Sequence, residues 1–161
     1  MKKYISFVLI LALIISLSSC KKPKWEYCEI GIVLNEDFKE HDSDGAFDLA
    51  YSNGSLVVGI YRISFEAAVD EGVPVTMSAL KFAKYHLGLT GKDAEVCEDG
   101  TVAYYTYVTE DESGTRYFYM PTFYRTPYAY FIITFITRAQ DTEQSQKYFL
   151  ELASTVYLND K

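Results

Sequence analysis

The sequence is poor in the residue types that bind transition metals or cross-link a small domain. Its 161 residues include two histidines, His41 and His86, and three cysteines. The two histidines lie far apart and form no spaced ligand pair with a cysteine, so a zinc site is not expected. The chain also has no G-x-S-x-G nucleophile elbow and no glycine-rich phosphate loop, which are short signatures of hydrolases and nucleotide-binding enzymes. We therefore expect a protein that is not an enzyme and holds no cofactor.

Basic residues are also few. Lysine and arginine total 15 against 22 aspartates and glutamates, and the formal net charge is −7 at pH 7. Binding to a phosphate backbone requires a basic surface that displaces counterions, so no nucleic-acid partner is expected.

The chain has one long uncharged run, at its beginning. Lys2 and Lys3 are followed by residues 4–20, none of which is charged, and residues 5–17 are mostly apolar. A membrane-spanning helix needs about 20 apolar residues, so this run is too short to be one. Its length and its basic start predict a signal peptide.

The run ends in Leu17, Ser18, Ser19 and Cys20, a tetrapeptide that resembles the lipobox of bacterial lipoproteins. The resemblance implies cleavage before Cys20, lipidation of its thiol, and an extracytoplasmic protein anchored to the cell membrane or outer membrane. Stable anchoring takes more than one lipid chain, which such a modified cysteine supplies. We expect a signal peptide at 1–19, a lipidated tether at 20–24 and one globular domain at 25–161. The alternative is an ordinary cleaved signal peptide with an incidental cysteine.

Two cysteines remain after Cys20 is assigned to lipid. In an oxidising compartment, Cys28 and Cys97 are a candidate disulfide pair. The alternative, which the sequence leaves open, is that each is a small apolar core residue.

Alternation of apolar residues predicts most of the domain as strands. Residues 25–34 form a first strand, Asn53-Gly54 turns a hairpin, and strands follow over 94–97, 101–109 and 115–124. Pro121 cannot donate to a sheet ladder, so we expect a bulge or an exposed edge there. Residues 128–137 are apolar on both faces, which predicts a central strand that is covered above and below.

Three segments have helical character. Residues 65–72 have room for one or two turns; residues 76–87 form a helix that Thr76 caps and Gly88 ends; the last helix starts at Asp141 or Thr142 and turns Tyr148 and Phe149 inward. The predicted fold class is α+β, with an antiparallel sheet of about six or seven strands and helices packed on both faces.

This order of elements resembles the Mog1/PsbP-like fold. The resemblance rests on the strand before Leu34, the Asn53-Gly54 hairpin, the helix around 80–87, the strand at 130–137 and the closing helix through Phe149. Members of that group are mostly binding or assembly factors, so the resemblance implies such a role. It transfers no binding residue, because no motif of the group matches residues here.

Two segments are candidate sites. Glu40, Asp42, Asp44 and Asp48 stand at spacings that partly match a calcium loop, and the alternative is a solvated turn. The second segment has more aromatic residues than a turn needs, which makes it a candidate contact patch: Phe123, Tyr124, Arg125 and Tyr128.

From the sequence we expect a membrane-anchored, extracytoplasmic binding or accessory protein whose partner is another envelope protein. The alternative is a lipoprotein that binds a small ligand or a metal.

Overall fold

The computed structural model describes residues 24–159, with side chains described from Tyr27 onward. The predicted leader, Cys20 and most of the predicted tether lie outside the described residues. The described chain contains eleven strands: β1 Lys24–Tyr27, β2 Ile30–Val33, β3 Lys39–Glu40, β4 Leu49–Ser52, β5 Leu56–Ser64, β6 Cys97–Asp99, β7 Val102–Tyr104, β8 Tyr107–Glu110, β9 Arg116–Arg125, β10 Ala129–Arg138 and β11 Tyr157–Leu158. It contains three helices: α1 Phe65–Asp70, α2 Ala79–Thr90 and α3 Thr142–Ala153.

The strands form two antiparallel sheets. The large sheet has the order β3-β4-β5-β10-β9-β7-β6, and β8 also pairs with β9, which makes eight strands. The small sheet has the order β1-β2-β11. The predicted α+β class is confirmed. The large sheet exceeds the predicted six or seven strands because the segment predicted as one strand at 101–109 is divided into β7 and β8, and because β3 adds a two-residue edge.

The central strand is β10, as predicted. It pairs with β5 on one side and with β9 on the other over nearly its whole length. On one face Phe135 stacks on Phe149 of α3, with ring centroids 5.4 Å apart. On the other face Tyr130 stacks on Phe82 of α2 at 4.2 Å. Helices therefore cover both faces of the sheet, and two apolar cores lie between them and the strands.

The first predicted strand is two strands. β1 and β2 form a hairpin with Tyr27 opposite Ile30, so the turn consists of Cys28 and Glu29 alone. Cys28 has a φ of 50°, a left-handed conformation that costs an L-residue roughly 1 kcal/mol. Glycine or asparagine usually marks such a turn, and neither is present. The alternation of apolar residues therefore predicted a single strand.

The helix predicted at 76–87 is shifted toward the C-terminus. Ser78, and not Thr76, caps α2 by accepting a hydrogen bond from the Lys81 N–H at 3.3 Å. The helix continues through Gly88 and ends at Gly91, whose φ is 62°. Both glycines can end a helix, and the later one does so because it takes the left-handed conformation.

The last helix starts where the sequence predicted it. Asp141 caps α3 by accepting from the Gln144 N–H at 2.9 Å. The helix ends at Ala153, and the following segment turns back to form β11. Phe149 is buried as predicted, but Tyr148 is 40% exposed. Among residues 24–159, no helix is both long and apolar enough to span a bilayer.

Candidate functional site

The candidate disulfide between Cys28 and Cys97 is not formed. Cys28 and Cys97 are both free and exposed. Cys28 lies beside Glu29, which is bonded to Arg62 on β5, whereas Cys97 begins β6 at the far edge of the sheet. Four strand spacings of about 4.8 Å separate β5 from β6, and the Cα atoms of a disulfide lie within about 7 Å. The cysteines are also not core residues, so the alternative interpretation is wrong as well.

Of the four acidic candidates, Glu40, Asp42 and Asp48 line one surface pocket and Asp44 does not. Asp42 Oδ1 accepts a hydrogen bond from the Asp44 N–H at 3.0 Å, and Asp48 Oδ2 accepts from the Arg62 N–H at 2.7 Å. Glu40 lies on β3, opposite Tyr51. Within residues 27–159, no three or more acidic, histidine or cysteine side chains are grouped to hold a metal ion. The segment has the geometry of a solvated turn whose carboxylates bind backbone donors.

The four residues of the aromatic turn do not lie on one surface. β9 continues to Arg125, so Phe123 points into the core beneath α2 and is 0% exposed. Tyr124 points to the opposite face, where its hydroxyl donates to the Ala153 carbonyl at 3.2 Å and burial raises its pKa. Arg125 lies over the Phe65 ring at 5.1 Å. Tyr128 alone of the four has a largely exposed ring, at 63%. Alternation along β9 sends Phe123 and Tyr124 to opposite cores, whereas Arg125 and Tyr128 are exposed, and a contact role for those two stays a prediction.

Pro121 lies inside the sheet and interrupts the neighbouring strand. Tyr104 pairs with Thr122 and Tyr107 pairs with Tyr119 in one continuous register, so β7 and β8 are two parts of one strand line. The break between them faces Pro121, whose carbonyl accepts from the Tyr105 N–H at 3.4 Å. Proline has no N–H to return that bond. The expected bulge or exposed edge of β9 is absent, and the irregularity falls on β7 and β8.

This break leaves part of the sheet edge uncovered. β6 pairs with β7 from Cys97 opposite Tyr104 to Asp99 opposite Val102. Among the described residues, β8 pairs with β9 alone. Because Tyr105 faces β9, alternation directs the backbone N–H and C=O groups of Thr106, Val108 and Glu110 away from it. These three residues are named here the β8 edge.

Exposure of the side chains agrees with an open edge. Val108 is 38% exposed and Glu110 is exposed, although the strand is regularly paired on its other side. Natural proteins usually cover or charge such edges, because unpaired strand groups are ready to pair with another chain. Here Glu110 supplies a charge, and no described strand pairs with the outer side of β8.

A pair of tyrosines lies next to the β8 edge, on the face that carries α2. Tyr107 and Tyr119 are opposite each other, and their rings stack at 4.9 Å with an angle of 4°. Lys92 Nζ lies 4.8 Å from the Tyr107 ring centroid, within the range of a cation–π contact. Burial raises the pKa of Tyr107 to about 12. We call these two residues the tyrosine pair.

Acidic residues predominate along this edge and in the loops that adjoin it. Residues 92–116 carry two basic side chains, Lys92 and Arg116, and both are exposed. The same segment carries seven acidic side chains, all exposed: Asp93, Glu95, Glu98, Asp99, Glu110, Asp111 and Glu112. The segment 92–116 is therefore more negative than the chain average.

His86 is a packed residue of α2 behind the tyrosine pair. Its Nδ1 lies 2.9 Å from the Tyr105 hydroxyl, and its ring is 5.3 Å from Phe123. Burial lowers its pKa below the ordinary 6.5. The His86 side chain is therefore half-buried.

Sequence reasoning did not find the β8 edge, although a signal was present. Pro121 inside a strongly alternating strand indicates a disturbed ladder, but the sequence does not say which neighbour is disturbed. The position of the break became evident only from the register of β7 and β8 against β9.

Fold and surface together define an α+β protein with an eight-stranded antiparallel sheet, helices on both faces and, within the described residues, an unpaired strand edge at β8. No protein-family model and no curated protein matches the chain. A crystal structure of a protein from Bacteroides thetaiotaomicron VPI-5482 matches with a TM-score of 0.54 and 16% identity, over 82% of this chain and 46% of that one. The chain thus spans less than half the length of that protein, and the likeness shows the fold alone.

A second match is the solution structure of cyanobacterial PsbP (CyanoP) from Synechocystis sp. PCC 6803. Its TM-score is 0.42 and its identity is 15%, over 89% of this chain and 99% of that one. A likeness this distant carries no functional argument.

Proposed function

We propose that the protein is a lipoprotein of the cell envelope that binds or assists another envelope protein and has no catalytic activity. In this proposal, lipid on Cys20 holds the domain on the extracytoplasmic side of the cell membrane or outer membrane. One observation carries it: an uncharged run over 4–20 ends in Leu17, Ser18, Ser19 and Cys20, directly before the folded domain.

The short distance between anchor and fold supports a role at the membrane surface. β1 begins at Lys24, four residues after Cys20, and an extended chain covers at most about 3.5 Å per residue. The domain would therefore lie within about 14 Å of its lipid anchor. Lys21, Lys22 and Lys24 would each gain about 1 kcal/mol near anionic headgroups. A partner in the same envelope layer is within reach of a domain held in this way.

Metabolic labelling tests the anchor. Cells that express the full chain are grown with an alkyne analogue of palmitate, and the purified protein is analysed by gel fluorescence and by mass spectrometry. The wild type is expected to carry label and an acylated N-terminus at Cys20. Cys20→Ser is expected to lose both, and Cys28→Ser is the matched control that keeps both. An unlabelled wild type, or label that persists in Cys20→Ser, would contradict the proposal.

Crosslinking in intact cells tests the binding role. Membranes from cells that express the wild type are expected to yield the same crosslinked envelope protein in repeated preparations, and the yield should fall for Cys20→Ser because that variant is not held at the membrane. If properly lipidated and folded protein gives no reproducible partner, the binding role is wrong.

A further inference from the structure

We propose that the β8 edge binds an extended, basic segment of the partner protein, which adds to the large sheet as a further strand. The inference deepens the proposed binding role and rests on it. It names the surface and the chemistry of the partner: backbone hydrogen bonds at the β8 edge, and lysine or arginine side chains opposite its carboxylates.

The backbone geometry supports strand addition. β8 is held in regular register by β9 from Tyr107 opposite Tyr119 to Glu110 opposite Arg116, so its outward N–H and C=O groups at Val108 and Glu110 are already in the extended conformation. A partner strand gains affinity from such preformed main-chain groups and specificity from side chains at alternate positions.

The line of the edge also fits an added strand. β7 and β8 lie on one strand line, and β6 pairs with that line only as far as Cys97, opposite Tyr104. An incoming strand that is antiparallel to β8 would lie where β6 stops and extend away from it. Its side chains on the α2 face would lie beside the tyrosine pair, which offers rigid contact area at low entropic cost.

Charge selects the partner. The seven acidic side chains of residues 92–116, against two basic ones, favour a basic segment and repel an acidic one. A second copy of this chain pairing edge to edge would bring two such acidic edges together, and anionic lipid headgroups would be repelled as well. The edge therefore fits a basic strand from a different protein.

The experiment uses the full lipidated chain in nanodiscs of neutral phosphatidylcholine, which does not attract basic peptides. A random decapeptide display library is panned against the wild type and counter-selected with Val108→Pro. This change removes an outward N–H and leaves the ladder to β9 intact, and proline is tolerated at strand edges. Val108→Thr is the matched control, because it keeps both the N–H and the β-branched shape.

The selected peptides are expected to be basic and rich in β-branched residues. They should bind wild type and Val108→Thr equally, and Val108→Pro about tenfold more weakly because it lacks one outward hydrogen-bond donor. The amides of Val108 and Glu110 should exchange more slowly with solvent when a peptide is bound. Unchanged exchange of the β10 amides in free Val108→Pro shows that the fold is intact.

A charge-reversed variant gives a second, independent measurement. Glu110→Lys with Glu112→Lys should weaken binding, and the loss should shrink at high salt because exposed charges are screened. Glu66→Lys with Glu71→Lys, on α1 and just after it, is the matched control and should bind normally.

Three results would overturn the proposal: no peptides that prefer the wild type over Val108→Pro, selected peptides that are not basic, or a dimer formed through the β8 edge in analytical ultracentrifugation. The lipidation state of the same sample, read by mass spectrometry, shows separately whether the proposed anchor is wrong.

Discussion

Arg62 on β5 donates two hydrogen bonds to Glu29 in the β1–β2 turn. Its Nη2 lies 2.7 Å from Glu29 Oε1 and its Nε lies 3.0 Å from Oε2. The two side chains are only 25% and 18% exposed. This ion pair joins the small sheet to the large one, and it holds the first hairpin against the domain.

Glu29→Gln is expected to lower the free energy of unfolding by about 1–2 kcal/mol, because an amide cannot accept both charge-assisted bonds. Urea unfolding of the purified protein measures the change. Glu36→Gln, at an exposed loop position, is the control and should change stability by less than about 0.5 kcal/mol. Equal effects would mean that the ion pair contributes nothing.

The contribution of Glu29 should depend on pH. The hydrogen bond from Arg62 holds the pKa of the Glu29 carboxyl below its ordinary 4.5. A depressed folded-state pKa gives stability that is present above 4.5 and is lost as the pH falls through the folded-state value. The stability difference between wild type and Glu29→Gln should therefore be constant near neutrality and shrink below 4.5. A difference that grows with acid would contradict this assignment.

Phe149→Ala is expected to destabilise the fold by about 3–5 kcal/mol, because it leaves a large cavity in the core. The Phe149 ring lies 5.8 Å from Phe118 and 5.4 Å from Phe135. Tyr148→Ala is the matched control, since Tyr148 is the neighbouring residue and is 40% exposed. Its cost should be clearly smaller in the same urea titration. If the two variants are equally unstable, the helix is rotated from the orientation described.

Gly59→Ala should destabilise β5 by about 1–3 kcal/mol through overpacking. A Cβ atom at this position would lie 2.5 Å from the Phe47 ring, closer than van der Waals contact allows. Removal of the ring should relieve the clash, so Gly59→Ala should cost much less in a Phe47→Ala background. A double-mutant cycle measured by thermal unfolding gives the coupling, and strictly additive effects would show that the two residues do not touch.

Acid should destabilise the domain through His86. Burial lowers its pKa below 6.5, so the unfolded chain binds a proton more readily than the folded one, and stability falls as the pH drops below 6.5. His86→Gln lacks this titration, and its stability relative to wild type should rise between pH 7 and pH 5. His41→Gln, at an exposed position, is the control variant. A wild type that keeps its full relative stability at pH 5 would contradict a buried neutral His86.

Long patterns in the sequence predicted the centre of the fold. The ten residues of β10 are apolar on both faces, and this required helices above and below, as found at Phe82 and Phe149. The cap at Asp141 was equally predictable, because a side-chain acceptor precedes a periodic helix. These features depend on neighbours in sequence or on simple periodicity.

Features that depend on strand register or on an unusual backbone conformation were not predictable. The turn at Cys28 needs a positive φ from a residue that seldom adopts one. The opposite orientations of Phe123 and Tyr124, by contrast, follow from alternation along the strand predicted at 115–124, and the two side chains enter different cores. The β8 edge depends on what Pro121 does to the strand beside it, and a single sequence does not show which strand that is.

The pairing of β11 with β2 has a consequence for the order of folding. Tyr157 lies opposite Gly31, and its ring fills the space where a Cβ would stand. The small sheet, which contains β2 near the start of the domain, is therefore complete only when β11, near the end of the domain, pairs with β2. During synthesis the small sheet therefore stays incomplete until residue 158 is available to pair with Ile30.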